Sequence, residues 1–165
     1  SNTIISMDIT DGDGADSPKL IPLVNQAAKN FKVRNVCADK AYLSRANFDR
    51  VAEIGAIPYV PFKSNSSRKQ RGSVIWSRMF DLFLEKRDVF DANYHLRSNI
   101  ESTFHMIKRK FDNNLKTKTD ESQVNEILMK CLCHNLTVLV HESIKLGLEI
   151  DFLECFNLIS AQKPC

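Results

Sequence analysis

Three short apolar runs alternating with amphipathic segments limit this chain's fold more than anything else in it. TIISMDIT, residues 3–10, alternates along its length: Ile4, Ser6, Asp8 and Thr10 fall on one face and Ile5, Met7 and Ile9 on the other, the period of a strand. Val33, Val36 and Cys37 make a second run that ends at Asp39. AIPYVPFK, residues 56–63, makes a third, confined to a sheet edge by Pro58 and Pro61. Two helical patterns lie between. The first covers about residues 18–31, with Asp16 or Ser17 as N-cap, Pro18 in the opening turn, and Leu20, Leu23, Val24 and Ala27 on its buried face. The second covers about residues 44–54 and closes on Gly55, the residue type that best follows a helix. Strand, helix, strand, helix, strand is an α/β order. Asp39 then stands where a strand hands over to the next segment, a common address for active-site carboxylates, although an aspartate that caps a turn fits the same position. The acidic run Asp8, Asp11, Asp13 and Asp16 lacks the later ligands and closing Glu of a calcium loop.

Beyond a polar, basic loop at residues 64–73, the pattern becomes helical. VIWSRMFDLFLEKRDVFDANYHLRSN, residues 74–99, sets Val74, Met79, Leu82, Phe83, Phe90 and Tyr94 at apolar spacings, with Trp76, the single tryptophan, read as a core anchor ahead of a base-stacking ring. YHLRSNIESTFHMIK, residues 94–108, carries two faces if wound as one helix. Ile100, Phe104, Ile107 and Phe111 form an apolar stripe expected to be buried. Tyr94, Arg97 and Lys108 line up with Glu101 at about +20°, −40° and −20° on the helical projection. A solvated face with an ordinary Arg97–Glu101 pair explains that edge too. A turn at Asn113 and Asn114 leads to a long helix over about residues 121–146, with Val124, Ile127, Leu128, Cys131, Leu132, Leu136, Leu139 and Val140 as a broad apolar face and Asn135 as a buried hydrogen-bonder. Residues 147–165, with Ile150, Phe152, Leu153, Phe156 and Leu158, read as a C-terminal docking tail.

At 165 residues the chain is long enough for one core and is read as one domain. No apolar run is long enough to cross a membrane and the opening residues do not form a signal peptide, so a cytoplasmic protein is expected. The five cysteines lack the spacing of a disulfide framework, and Cys131, Cys133 and His134 cannot converge on one zinc ion from a helix. Charge is uneven. Residues 61–118 hold thirteen Lys/Arg against six Asp/Glu, a net +7, while residues 119–165 are net −4. A basic middle of this kind suits a polyanion surface.

Tyr94, two residues, Arg97, three residues, Glu101, six residues, Lys108 resembles the Y-(2)-R-(3)-E-(6)-K motif of DDE transposases from bacterial and archaeal insertion sequences. ADKAY around Asp39 followed by GAIPYVPFK resembles the segment around the second acidic residue of the same family, and CHNLTVLV resembles its segment after the catalytic helix. The likeness runs from about Thr3 to Val140. It implies a ribonuclease H-like α/β fold, here with an N-terminally truncated mixed sheet flanked by helices, and strand transfer on DNA with Mg2+ or Mn2+. Two such ions roughly 3.5–4 Å apart activate the attacking oxygen and stabilise the leaving one. By the resemblance Asp39 and Glu101 are metal ligands, Arg97 and Lys108 orient the carboxylate or meet phosphate, and Tyr94 positions the strand. Lys63, Arg68, Lys69, Arg71, Arg109, Lys110, Lys116 and Lys118 are the expected DNA contacts. The first Asp of the family lies on a strand not found in these residues, and Asp8 is a poor substitute. A fragment with little or no cleavage is therefore expected, with an exposed sheet edge that invites dimerisation. Double-stranded DNA at transposon ends is the implied partner, in the nucleoid. The competing class is a non-catalytic DNA-binding or regulatory remnant that pairs with a full-length transposase.

Overall fold

The computed structural model describes residues 2–10 and 14–148. The chain divides into two compact units: Ile4–Phe104, and Ser1–Thr3 together with His105–Cys165.

In the first unit, β1 (Asn35–Cys37) and β2 (Ile57–Tyr59) pair in parallel, Val36 opposite Pro58 and Cys37 opposite Tyr59. The crossover between them is α2 (Arg45–Glu53). Ser44 caps that helix by accepting from the Asn47 N–H at 3.2 Å, and Gly55 ends it at φ +79°, a left-handed conformation that a side chain would strain. α1 (Leu20–Asn30) follows a 3-10 turn over Ser17–Lys19 and buries Leu20, Val24 and Ala27, as its spacing predicts. Asn47, itself buried, donates through Nδ2 to the Tyr42 carbonyl (2.8 Å), the Ser17 carbonyl (3.0 Å) and Ser17 Oγ (3.1 Å), which ties the entries of α1 and α2 together.

Residues 3–10 do not join this sheet, contrary to the strand their alternation suggests; among the described residues the sheet holds β1 and β2 alone. Alternation prepares a strand, but a ladder partner makes one. Asp8 instead pairs with Lys19 at 3.0 Å. The expected mixed sheet is thus a two-stranded parallel one in a mostly helical molecule.

The core is aromatic. Phe62 stands at its hub, with ring centroids 4.9 Å from Trp76, 5.1 Å from Phe80, 5.5 Å from Phe83 and 5.6 Å from Phe48, mostly edge-on. Phe83 continues the chain of rings to Phe90 (5.0 Å), and Phe90 to Tyr94 (5.7 Å). Trp76 is buried, as expected of an anchor, and its indole N–H donates to the Ser67 carbonyl at 2.9 Å.

Residues 74–111 are not one rod. α3 (Val74–Glu85) gives way to α4 (Arg87–Tyr94) at Lys86, where φ is −131°, and a 3-10 turn over His95–Arg97 leads into α5 (Ser98–Phe111). Of the stripe expected to be buried on α5, Ile107 is buried and Phe111 half-buried, but Ile100 and Phe104 are each 55% exposed, and Thr103 is buried one turn before Ile107.

The second unit is built on α6 (Asp120–Lys145), capped by the Thr119 hydroxyl. Glu126 gathers the incoming loop by accepting from the Lys116 N–H (2.9 Å), the Thr117 N–H (3.1 Å) and the Thr117 hydroxyl (3.0 Å), and pairs with Lys130 at 2.8 Å. These contacts, the Lys130 pairing foremost, hold its carboxyl down at about 2. The buried polar residues on α6 are Ser143 and His134, whose Nε2 lies 2.9 Å from the Asn2 carbonyl; Asn135 is half-buried. Of the docking tail, residues 149–165 lie outside the described residues.

Candidate functional site

Asp39 follows β1 directly. The Ala38 N–H donates to the Tyr59 carbonyl at 3.2 Å, which carries the ladder one residue past the strand and fixes where Asp39 emerges. Asp39 then caps a 3-10 turn over Lys40–Tyr42: Oδ1 accepts from the Ala41 N–H at 2.6 Å. Among the described residues its second oxygen has no protein hydrogen bond, so the half-buried carboxylate keeps one face for a ligand.

The end of α4 is held against β1 by contacts between residues far apart in the chain. The Cys37 thiol donates to the Asn93 carbonyl (3.4 Å) and Asn35 Nδ2 to Asn93 Oδ1 (3.4 Å), which fasten the end of α4 against β1. The phenol of Tyr94 is pushed above its ordinary value first by burial. Arg97 pulls it back, and Asp39, Cys37 and Glu101 each push it up. One hydroxyl therefore feels both carboxylates. Tyr42 is raised in the same manner, by burial and then by Asp16 and Asp39. Asp16 thus acts on the same phenol as Asp39.

Glu101 lies in the first turn of α5, where the helix dipole favours a carboxylate. Arg97 Nη1 holds its Oε1 at 2.7 Å, with side-chain exposures of 30% for Arg97 and 60% for Glu101. The i, i+4 pair read from the sequence thus forms, although Arg97 belongs to the 3-10 turn rather than to α5. Lys108 lies further along α5, exposed, and belongs to the second unit.

The basic residues fall into two groups. Lys63, Arg68, Lys69 and Arg71 belong to the first unit, on a loop tied down at several points: Arg45 Nη2 donates to the Lys69 carbonyl (3.0 Å) and Gln70 Nε2 to Ser77 Oγ (2.9 Å). Arg68 is already engaged, bidentate on Asp81 at 2.7 and 2.8 Å. Lys69 and Arg71 are exposed, and Arg71 sits at φ +46° ahead of Gly72 at φ +90°. Lys108, Arg109 and Lys110 close α5, with Lys116 and Lys118 just beyond; all are exposed and all belong to the second unit. Lys110 also borders a groove of about 420 Å³ with Asn2, Thr137, His141 and Lys145.

Carboxylate oxygens such as those of Asp39 and Glu101 suit a hard cation. Among the described residues no three His, Cys, Asp or Glu side chains come close enough to enclose a metal ion. No described helix is long and apolar enough to cross a membrane. No curated protein and no solved structure matches the chain. A family model for the transposase DDE domain matches residues 1–136, which takes in Asp39, Tyr94, Arg97, Glu101 and Lys108. The chain belongs to the transposase DDE domain family.

Proposed function

We propose that this chain carries two of the metal-ligating carboxylates and part of the DNA surface of a transposase that cuts and joins insertion-sequence DNA. Asp39 and Glu101 are the ligands in this reading. Its main support is the Tyr94 phenol, which lies in the field of both. The donor set fits a magnesium-type ion: Asp39 offers an oxygen with no protein partner among the described residues, and Glu101 is exposed enough to turn one outward while Arg97 keeps the other. Such an ion supplies Lewis-acid activation of the attacking oxygen and charge neutralisation at the leaving one. The protein's own part is positioning. Arg97 orients the Glu101 carboxylate, Tyr94 sets its hydroxyl beside the scissile strand, and Lys108 neutralises a phosphate. Lys63, Lys69, Arg71, Arg109, Lys110, Lys116 and Lys118 hold double-stranded DNA at the transposon ends, with a second copy of the chain alongside, in the nucleoid.

Two carboxylates are too few for two-metal strand transfer, so the 165 residues by themselves bind DNA and cleave it little or not at all. A second reading, a non-catalytic DNA-binding or regulatory partner of a full-length transposase, draws on the same exposed cations. Nicking of supercoiled DNA in Mg2+ or Mn2+, with Asp39→Asn and Glu101→Gln beside the unaltered chain, tests both. Retention of DNA at low salt without nicking is expected. Nicking abolished by both substitutions would show a third carboxylate at work, and Asp16 would be examined before Asp8. Absence of DNA retention at any salt would remove both readings.

A further inference from the structure

The loop over residues 63–73 forms neither helix nor strand, yet two side chains fix its backbone. The Trp76 indole N–H donates to the Ser67 carbonyl at 2.9 Å, and Arg45 Nη2 donates to the Lys69 carbonyl at 3.0 Å. The same two side chains hold each other: the Arg45 guanidinium carbon lies 4.2 Å from the centroid of the Trp76 ring. The contacts close a circuit from Trp76 to Ser67, along the backbone to Lys69, and back through Arg45. Trp76 is buried against Phe48 and Phe62, so the circuit stands on the core. Toward α3, Gln70 Nε2 donates to Ser77 Oγ (2.9 Å), the Ser73 N–H to the Gln70 carbonyl (3.0 Å) and the Ser73 hydroxyl to Asp49 Oδ1 (2.5 Å). Lys69 and Arg71, between these anchors, are exposed, and among the described residues neither pairs with an acid.

Arg45 is half-buried and, among the described residues, pairs with no carboxylate. Its Nε is buried without an acceptor, a desolvation cost that the indole face offsets. Such a placement commits the guanidinium to the loop backbone. We propose that Arg45 is a positioning residue for DNA binding: acting through the Lys69 carbonyl, it presets the loop so that Lys69 and Arg71 meet the phosphate backbone together. A loop ordered before binding has less conformational freedom to lose when phosphates dock. Arg68 does not share this task, because its side chain is held by Asp81. The role of Arg45 rests on the reading of Lys69 and Arg71 as DNA contacts.

A double-mutant cycle on the whole 165-residue chain, read as retention of a short linear duplex at fixed salt, tests it. Arg45→Met keeps an unbranched stem against Trp76 but loses the donor and the charge. It should weaken retention about fivefold, inside the coupling range for residues in one network. In a Lys69→Ala, Arg71→Ala background, where neither cation is left to position, the same substitution should change retention less than about 1.5-fold. Backbone NMR order parameters of residues 67–71 should be about 0.85 in the unaltered chain and fall toward about 0.6 in Arg45→Met. Equal losses in both backgrounds would overturn the proposal, because Arg45 would then touch DNA itself or act through the fold at large. Order parameters already below about 0.6 in the unaltered chain would overturn it too, whether or not Arg45→Met folds. So would order parameters that ignore Arg45→Met. If the unaltered chain retains no DNA at any salt, the DNA reading falls and this role with it; equal losses with DNA retained remove the role alone.

Discussion

From Phe48 to Tyr94 the rings of the first unit interlock at centroid spacings of 4.9 to 5.7 Å, whereas α6 in the second unit exposes seven large apolar side chains. The two carboxylates of the candidate site belong to the packed unit, and their placement follows from that packing. β1 delivers Asp39 through one extra ladder bond, and the chain of rings delivers Tyr94 at its far end. The second unit contributes cations and an open apolar face. A site that needs fixed distances is built where the core is dense, and a surface meant for large partners is built where it is not.

The contrast breaks most visibly at Phe90, fully buried between Tyr59, Phe83 and Tyr94. Phe90→Ala should cost about 3–5 kcal/mol in denaturant unfolding and loosen Tyr94, whereas Ile144→Ala, on the exposed side of α6, should stay within about 0.5 kcal/mol. Equal losses would erase the distinction between the units. Next comes Asn47, whose buried amide serves three acceptors; Asn47→Ala should cost on the order of 1–3 kcal/mol by leaving the half-buried Ser17 and Tyr42 carbonyls without this donor, and a neutral result would mean that water replaces it.

A pH experiment sharpens the comparison from the other unit. The Glu126 carboxyl is held at about 2 against an ordinary 4.5, so its stabilising contacts are complete above about 4.5 and disappear as pH falls toward 2. The Lys116 and Thr117 amide resonances should shift over that window, and Glu126→Gln should remove the shift. A midpoint near 4.5 would mean that Glu126 does not gather the loop. The smallest effect is expected at Arg68, whose guanidinium is committed to Asp81. Arg68→Ala should change DNA retention less than about twofold, and Asp81→Asn should increase it by releasing the cation; the salt dependence of retention separates the two.

Much of this arrangement could be read from residue order. The β1, α2, β2 crossover, the Ser44 cap, Gly55 and the Arg97–Glu101 pair all follow from local chemistry, where spacing and side-chain type decide the outcome. What escaped depends on partners distant in sequence. Residues 3–10 have a strand's alternation without a place in the sheet. The break at Lys86 and the 3-10 turn at His95–Arg97 carry no glycine or proline to announce them, so a continuous helix and a buried Ile100 and Phe104 were the natural reading. At the site, Asp39 and Glu101 could be picked out individually. The fastening of the end of α4 to β1 rests on Asn35, Cys37 and Asn93, whose hydrogen bonds span more than fifty residues and leave no periodic trace.

The convergence of Asp39 and Glu101 on one phenol is most directly tested by titrating Tyr94 by NMR in the unaltered chain, in Asp39→Asn and in Glu101→Gln. A nearby carboxylate disfavours the phenolate, so the Tyr94 midpoint should lie above an ordinary tyrosine's and fall in each variant. A midpoint that ignores Asp39→Asn while the fold is intact would separate the two acids and contradict the site.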